Sequence, residues 1–208
     1  MARPGSYALE IRALQGGQNV SVHSMIQVIE GVFGTQYLNF DDETAQLLDA
    51  TLVEQEAQKV WDIAIRTTLP QRWTGPFALP LDGQPEISAP FGIRRSYDGG
   101  APTSFHSGVD YAVPADTPVY APAPGQVVLA EALQVRGNAV IVDHGRGVMS
   151  GYWHLAQINI VVGQTVNTGD LLGLVGSTGL STGAHLHWEL RVMGVQVDPL
   201  QWTWQTIQ

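Results

Sequence analysis

Ala184-His185-Leu186-His187-Trp188-Glu189-Leu190-Arg191-Val192 reads as an extended strand near the carboxyl end of the chain. Successive side chains of a strand alternate faces, so His185 and His187 point the same way. Working backwards from it, the pattern from Ile87 onward is all β, with Gly and Pro at close intervals. Further strands are expected over 109–113, 125–133, 139–142, 148–154 and 171–175, and no helix-period stretch intervenes. Ala121–Val128 and Val162–Leu171 share a shape, a small-residue turn followed by an apolar strand. Short strands folding over themselves in this way predict a mainly β fold, a compact and strongly bent β-sandwich with glycines at its corners.

The amino-terminal part has a different rhythm. Tyr7, Leu9 and Ile11 alternate with polar or small residues, and Val20, Val22, Ile26 and Val28 continue the alternation after the turn signal Gly16-Gly17-Gln18-Asn19, which predicts a β-hairpin. Asp41 or Asp42 can cap one long helix, whose pairs Leu48/Leu52 and Val53/Ala57 and the residues Val60, Trp61 and Ala64 fall at three- and four-residue spacing, ending before Pro70. From Leu69 to Pro80, Pro70, Gly75, Pro76 and Pro80 favour extended chain. The expected organisation is an accessory segment over 1–75, a linker over 76–86 and a main domain over 87–208. Two or three strands seldom stand alone. The accessory strands are therefore expected either to continue a β-rich module upstream or to pack on the following domain.

Composition narrows the function. The chain has 208 residues, 44% hydrophobic and 14% charged, an ordinary globular balance. Its net charge of −9 is spread evenly, with 5 basic and 9 acidic side chains over 1–78 and 5 and 10 over the rest. With one lysine, Lys59, and no basic patch, nucleic acid is not an expected partner. No apolar run approaches the ~20 residues that a bilayer helix needs. Met1-Ala2-Arg3-Pro4-Gly5 lacks the apolar core of a signal peptide. The absence of cysteine removes disulfides, thiolate ligands and a Cys nucleophile.

Against that background six histidines stand out. His106-Ser107-Gly108-Val109-Asp110 places His106 and Asp110 four residues apart, on one face if the stretch is extended, and His185 and His187 share a face in their own strand. Three imidazoles and a carboxylate suit zinc, whose catalytic sites keep three protein ligands and one open position. Four candidates for three places leave one histidine for chemistry. In Gly151-Tyr152-Trp153-His154-Leu155, an extended strand would put Tyr152 and His154 on one face and turn Trp153 and Leu155 to the core. His144, within Asp143-His144-Gly145-Arg146-Gly147, has the composition of a surface turn, and His23 lies in the amino-terminal strands.

These motifs together resemble the lysostaphin/LytM-type family of zinc metalloendopeptidases, which cut the peptide cross-links of bacterial peptidoglycan. The resemblance covers about residues 87–200. It rests on His106-x-Gly108-x-Asp110, on Tyr152-x-His154-Leu155, and on Ser177-Thr178-Gly179 leading to His185-x-His187. It implies a duplicated hybrid motif fold and a zinc ion (Zn2+) held by His106, Asp110 and His187, with His154 and His185 beside the activated water as catalytic groups. Some relatives have lost ligands and act as silent activators of other wall hydrolases; all five positions are intact here. The family also carries a tyrosine near the reacting carbonyl, for which Tyr97 is the candidate, and Tyr152 is counted with it as a substrate contact. The partners implied are wall peptides, the place of action is outside the cytoplasm or in the envelope, and a monomer is expected. A catalytically silent or latent wall-binding module of the same fold is the alternative.

Two rivals lack their chemistry. Gly179-Leu180-Ser181-Thr182-Gly183 has the spacing of a nucleophile elbow, but that motif needs a following helix and then Asp and His in order, whereas a strand follows here. A biotinyl- or lipoyl-like carrier would need a lysine to modify, and Lys59 falls in the predicted helix. The six tryptophans are expected in the core or at junctions, with only Trp202 and Trp204 placed to line a groove.

Overall fold

The computed structural model describes residues 3–66 and 70–205. Leu69, where the stretch expected to be extended starts, and residues 206–208 lie outside the described residues. The chain divides into two compact units, residues 1–34 and 35–208, so the expected boundary near residue 75 falls inside the second unit.

The first unit is the expected hairpin. Strands β1 (Gly5–Gln15) and β2 (Gln18–Val28) pair antiparallel in unbroken register, Tyr7 opposite Ile26 and Ile11 opposite Val22. Gly16 and Gly17 both take positive φ in the two-residue turn, the conformation that matches the twist of the strands.

The second unit opens with β3 (Thr35–Leu38), α1 (Asp42–Ala45), a 3-10 turn (Gln46–Leu48) and α2 (Ala50–Ala64). One long helix was expected here; two form. The Asp41 side chain accepts from Thr44 N and caps α1. Asp49 then leaves the helical region (φ −52, ψ 123) and accepts from Leu52 N, so a second aspartate cap restarts the chain as α2.

The strands that follow are β4 (Glu86–Ala89), β5 (Arg94–Tyr97), β6 (Ser104–Phe105), β7 (Gly108–Ala112), β8 (Pro118–Tyr120), β9 (Gly125–Ala132) and β10 (Asn138–Gly145). After them come β11 (Val148–Leu155), β12 (Gln157–Ile158), β13 (Thr165–Val166), β14 (Leu171–Leu174), β15 (Leu186–Val192), β16 (Val195–Val197) and the short helix α3 (Gln201–Trp204). The main sheet runs β13-β9-β10-β11-β15-β7-β4, with β16 on β15, and a second sheet runs β12-β14-β8. The core lies between the two sheets, where Tyr111, Tyr152, Leu186 and Trp188 of the large sheet meet Val119 and Leu172 of the small one. This is the bent sandwich the glycine-punctuated strands predict.

Two features of this unit are not visible in the periodicities. β3 pairs parallel with β5, opposite Arg94–Tyr97. Glu56, Val60 and Ala64, the buried residues of α2, form one line at four-residue spacing. Val60 and Ala64 pack on Leu129, Ile141, Met149 and Trp153 on the outer face of the large sheet. A third cluster joins Trp73 and Phe77 to Trp202, so Trp202 is buried in packing, while Trp204 is exposed.

His144 corrects the surface-turn expectation. It sits in β10, fully buried, its Nδ1 2.8 Å from Pro124 O and its Nε2 2.8 Å from Ser150 Oγ. The turn begins only at Arg146, and both ring nitrogens are satisfied, which is what allows an imidazole in the interior. Among the described residues no helix is long and apolar enough to cross a membrane.

Candidate metal centre and catalytic cleft

In the antiparallel pairing of β15 with β7, His187 stands directly opposite Asp110. Facing residues of such a pair lie about 5 Å apart, so one register decision delivers two candidate ligands to one spot. Gly108 makes that pairing possible: a Cβ there would lie 2.3 Å from Trp188 O and 2.9 Å from His187 Nε2. This is why the middle position of His106-x-Gly108-x-Asp110 is a glycine. His106 lies between β6 and β7 and turns its Nε2 to within 2.9 Å of both Asp110 Oδ1 and His187 Nδ1, while His187 Nδ1 is 2.8 Å from Asp110 Oδ1. Of the four candidate ligands, the structure brings together the three that the resemblance named, all buried.

The donor chemistry fits a divalent ion. His106 Nδ1 is 3.0 Å from Pro90 O, so that nitrogen carries the proton and Nε2 keeps its lone pair for the cluster. Burial pushes the His106 pKa down to about 4, against the pull of Asp110, so the imidazole is neutral at pH 7. Burial opposes ionisation of Asp110 too, but the adjoining imidazoles of His106 and His187 outweigh it and hold the carboxyl well below the usual range. Burial would lower the His187 pKa as well, yet the bond to Asp110 and the nearby Glu189 raise it. Two imidazole nitrogens and a carboxylate oxygen, converging within 2.9 Å of one another, match the donor set of a three-ligand zinc site.

Two supporting residues join the cluster beyond the candidates that the motifs name. Arg95 Nη2 donates to Asp110 Oδ2 at 2.5 Å and Arg95 Nε to Gln36 Oε1 at 3.1 Å, so the second oxygen of the Asp110 carboxylate is held from β5. Glu189 Oε2 stands 3.8 Å from His187 Nε2 and its other oxygen is clamped by Arg191 Nε. Glu189 shares the strand face of His185 and His187, a signal the alternation contains. For Arg95 no spacing rule exists, because β5 and β7 are brought together only by tertiary folding.

His154 and His185 flank the cluster, their ring centroids 4.9 Å apart, and His154 is 6.3 Å from the His187 ring. Each anchors its Nδ1 on a carbonyl, His154 on Thr178 O and His185 on Gly183 O, both at 2.8 Å. A carbonyl only accepts, so each Nδ1 bears hydrogen and each Nε2 is an acceptor. Burial lowers both pKa values, that of His154 to about 3, so both rings are neutral bases at pH 7. His154 holds its position with φ +63, the left-handed region that a non-glycine residue enters only under constraint.

That backbone twist overturns one expectation. Because His154 breaks the alternation of β11, Tyr152 and Leu155 both enter the core and Tyr152 does not share the cleft face. Tyr152 is fully buried and its hydroxyl pairs with Ser150 Oγ at 2.8 Å, so it cannot touch a substrate. Tyr97 does line the cleft, stacked on Phe40 with its hydroxyl 3.3 Å from Ser104 Oγ. Ser181 lies on the rim, 3.3 Å from His185 Nδ1. That nitrogen already donates to Gly183 O and cannot take the serine's proton, which removes the nucleophile reading.

The cleft continues to both sides of the histidines. On one side its wall is Gln36, Leu38 and Phe40 with the 180–185 loop; on the other it is Leu48, Val53, Tyr97 and Phe105 with Val135.

Comparison with known proteins bears on the same residues. The model of "Peptidase family M23" matches residues 104–199. A Pseudomonas aeruginosa protein assigned to peptidase M23 superposes with a TM-score of 0.72 at 30% identity, over 99% of this chain and 76% of its own. The chain belongs to peptidase family M23. The M23 domain also superposes on a zinc-containing peptidase from Vibrio cholerae (TM-score 0.56, 32% identity, 60% of this chain and 39% of that one). The lysostaphin catalytic domain from Staphylococcus simulans is a further neighbour (TM-score 0.50, 30% identity, 56% and 90%). By sequence the chain is 39% identical over 122 residues to peptidoglycan DD-endopeptidase ShyA of Vibrio cholerae, covering 59% of this chain and 28% of that protein. It thus spans little more than a quarter of the length of the curated relatives it matches.

Proposed function

We propose that this M23 domain is a zinc-dependent endopeptidase that hydrolyses peptide cross-links of bacterial peptidoglycan. The observation that carries the reading is the convergence of His106 Nε2, Asp110 Oδ1 and His187 Nδ1 within 2.9 Å of one another, flanked by two neutral imidazoles. Zinc held there supplies Lewis acidity, activating water and polarising the scissile carbonyl. His185 Nε2, 3.9 Å from Asp110 Oδ1, takes the proton of the attacking water and passes it to the leaving amine. His154 Nε2 accepts from the same water and orients it. With Nδ1 engaged on Thr178 the neutral ring has no hydrogen for an oxyanion, so water orientation is the role its bonding supports. Tyr97 and Phe40 form an aromatic wall for the substrate chain.

The relatives named as DD-endopeptidases and DD-carboxypeptidase/endopeptidases support a bond between D-amino acids in a direct cross-link as the substrate. Such a substrate places the protein in the cell envelope or outside the cell, acting as a monomer on an insoluble polymer. The test is mass spectrometry of fragments released from purified peptidoglycan, directly cross-linked and glycine-bridged in parallel, by zinc-loaded and chelator-treated protein. New amine and carboxyl ends from the direct cross-link, only with metal, are expected. Cleavage that survives removal of zinc, or no release from either wall by protein with zinc bound, defeats the reading.

A further inference from the structure

Glu56 is a buried carboxylate in the middle of α2 with no part in the metal site. Its Oε1 accepts from the backbone nitrogens of Gln134 at 2.5 Å and Val135 at 2.8 Å, and its Oε2 from Arg136 N at 3.1 Å and Arg136 Nη1 at 3.4 Å. Three successive N–H groups pointing at one anion form a nest, a backbone shape that depends on the charge it encloses. The nest is the loop between β9 and β10, and its outward-facing carbonyls are used. Arg136 O accepts from His154 N at 2.9 Å, and Val135 O accepts from Leu180 N at 2.8 Å. The next residues grip Thr178: Asn138 N donates to its Oγ1 at 2.9 Å, and Gly137 lies so close that a Cβ would sit 2.3 Å from that oxygen. Thr178 O is the acceptor that fixes the His154 ring at Nδ1.

We propose that Glu56 is a positioning residue for catalysis: by holding the 134–136 loop it fixes both the backbone and, through Thr178, the ring of His154. This rests on the reading of His154 as a group at the peptidase centre. It extends the working unit beyond the residues 104–199 matched by the family model. A left-handed His154 needs support at both ends, and the loop supplies the acceptor for its N–H. Without the enclosed charge, three converging N–H dipoles repel and the loop opens. The frame that holds His154 therefore reaches Glu56 on α2.

Glu56→Gln is the test, because it keeps the shape and leaves one acceptor atom where two are used, setting an NH2 against a backbone donor. Val60→Ala, one turn further along the same buried line, loosens the same helix without touching the loop. In the zinc-loaded full chain, Glu56→Gln is expected to lower kcat about tenfold with KM within about twofold, while Val60→Ala stays near wild type. Zinc stoichiometry is unchanged in both. By NMR, amide exchange at His154 accelerates about tenfold in Glu56→Gln only. Equal losses of kcat in the two variants, or unchanged kcat and His154 exchange in Glu56→Gln, overturn the proposal. If the wild-type protein cuts no wall peptide, the peptidase reading falls on its own, and the exchange measurement still decides whether Glu56 holds His154.

Discussion

The β1–β2 hairpin and the β7–β15 pair are both antiparallel ribbons with clean two-residue alternation, and they end in opposite states. In the hairpin, Tyr7, Leu9, Ile11, Val20, Val22 and Ile26 share one face by register and remain exposed. In the sandwich, Leu186, Trp188 and Leu190 are fully buried, because a second layer covers their face. Alternation therefore specifies a strand and its two faces; a core requires a partner layer. The same difference separates function. Only where one face is locked by packing can the other hold His185, His187 and Glu189 to within tenths of an ångström.

The contrast can be broken at several points. The largest effect is expected at the ligands: His187→Ala should lose tight zinc binding and turnover by more than about a thousandfold, whereas His154→Ala should keep zinc and lose roughly a hundredfold or more in kcat. Zinc titration beside single-turnover kinetics separates the two, and equal zinc loss in both would overturn the division of roles. On the packed face of the same strand, Trp188→Ala should cost about 3–5 kcal/mol in chemical denaturation.

A third effect is pH-dependent. Burial holds the His144 pKa near 4, below its ordinary 6.5, so the unfolded chain takes the proton first as pH falls. Its contribution is complete above pH 6.5 and lost progressively towards pH 4, by about 3 kcal/mol in total. His144→Gln should be less stable than wild type at pH 7 and should lose less between pH 7 and 4.5, read from urea midpoints. The smallest effect belongs to the hairpin: Val22→Thr should move the unfolding of residues 35–208 by less than about 0.5 kcal/mol. Removing residues 1–34 should leave turnover within about twofold, whereas removing 1–75 should abolish it, since that deletion takes α2 with it.

Much of this molecule is legible in local patterns. The hairpin with its Gly16-Gly17 turn, the strands β7, β9, β10, β11, β14 and β15 and the four candidate ligands follow from periodicity, turn chemistry and motif, all of which act over a few residues; the choice of three among the four comes from the resemblance. The Asp49 cap divides what three- and four-residue spacing reads as one continuous helix. Alternation presumes a regular strand and so puts Tyr152 on the cleft face, whereas the left-handed turn at His154 is held by contacts more than 15 residues away, at Arg136 and Thr178.

By itself, then, the sequence determined the strand faces, the ligand chemistry and the residue types able to move a proton, because each depends on neighbours within about one turn or one strand. Only the tertiary structure decided that His144 is interior, that Arg95 holds the ligand carboxylate, and that Glu56 reaches the loop behind His154. Those pairings join residues 15 to 80 positions apart. Their partners are chosen by layer packing and sheet register, which no local period encodes.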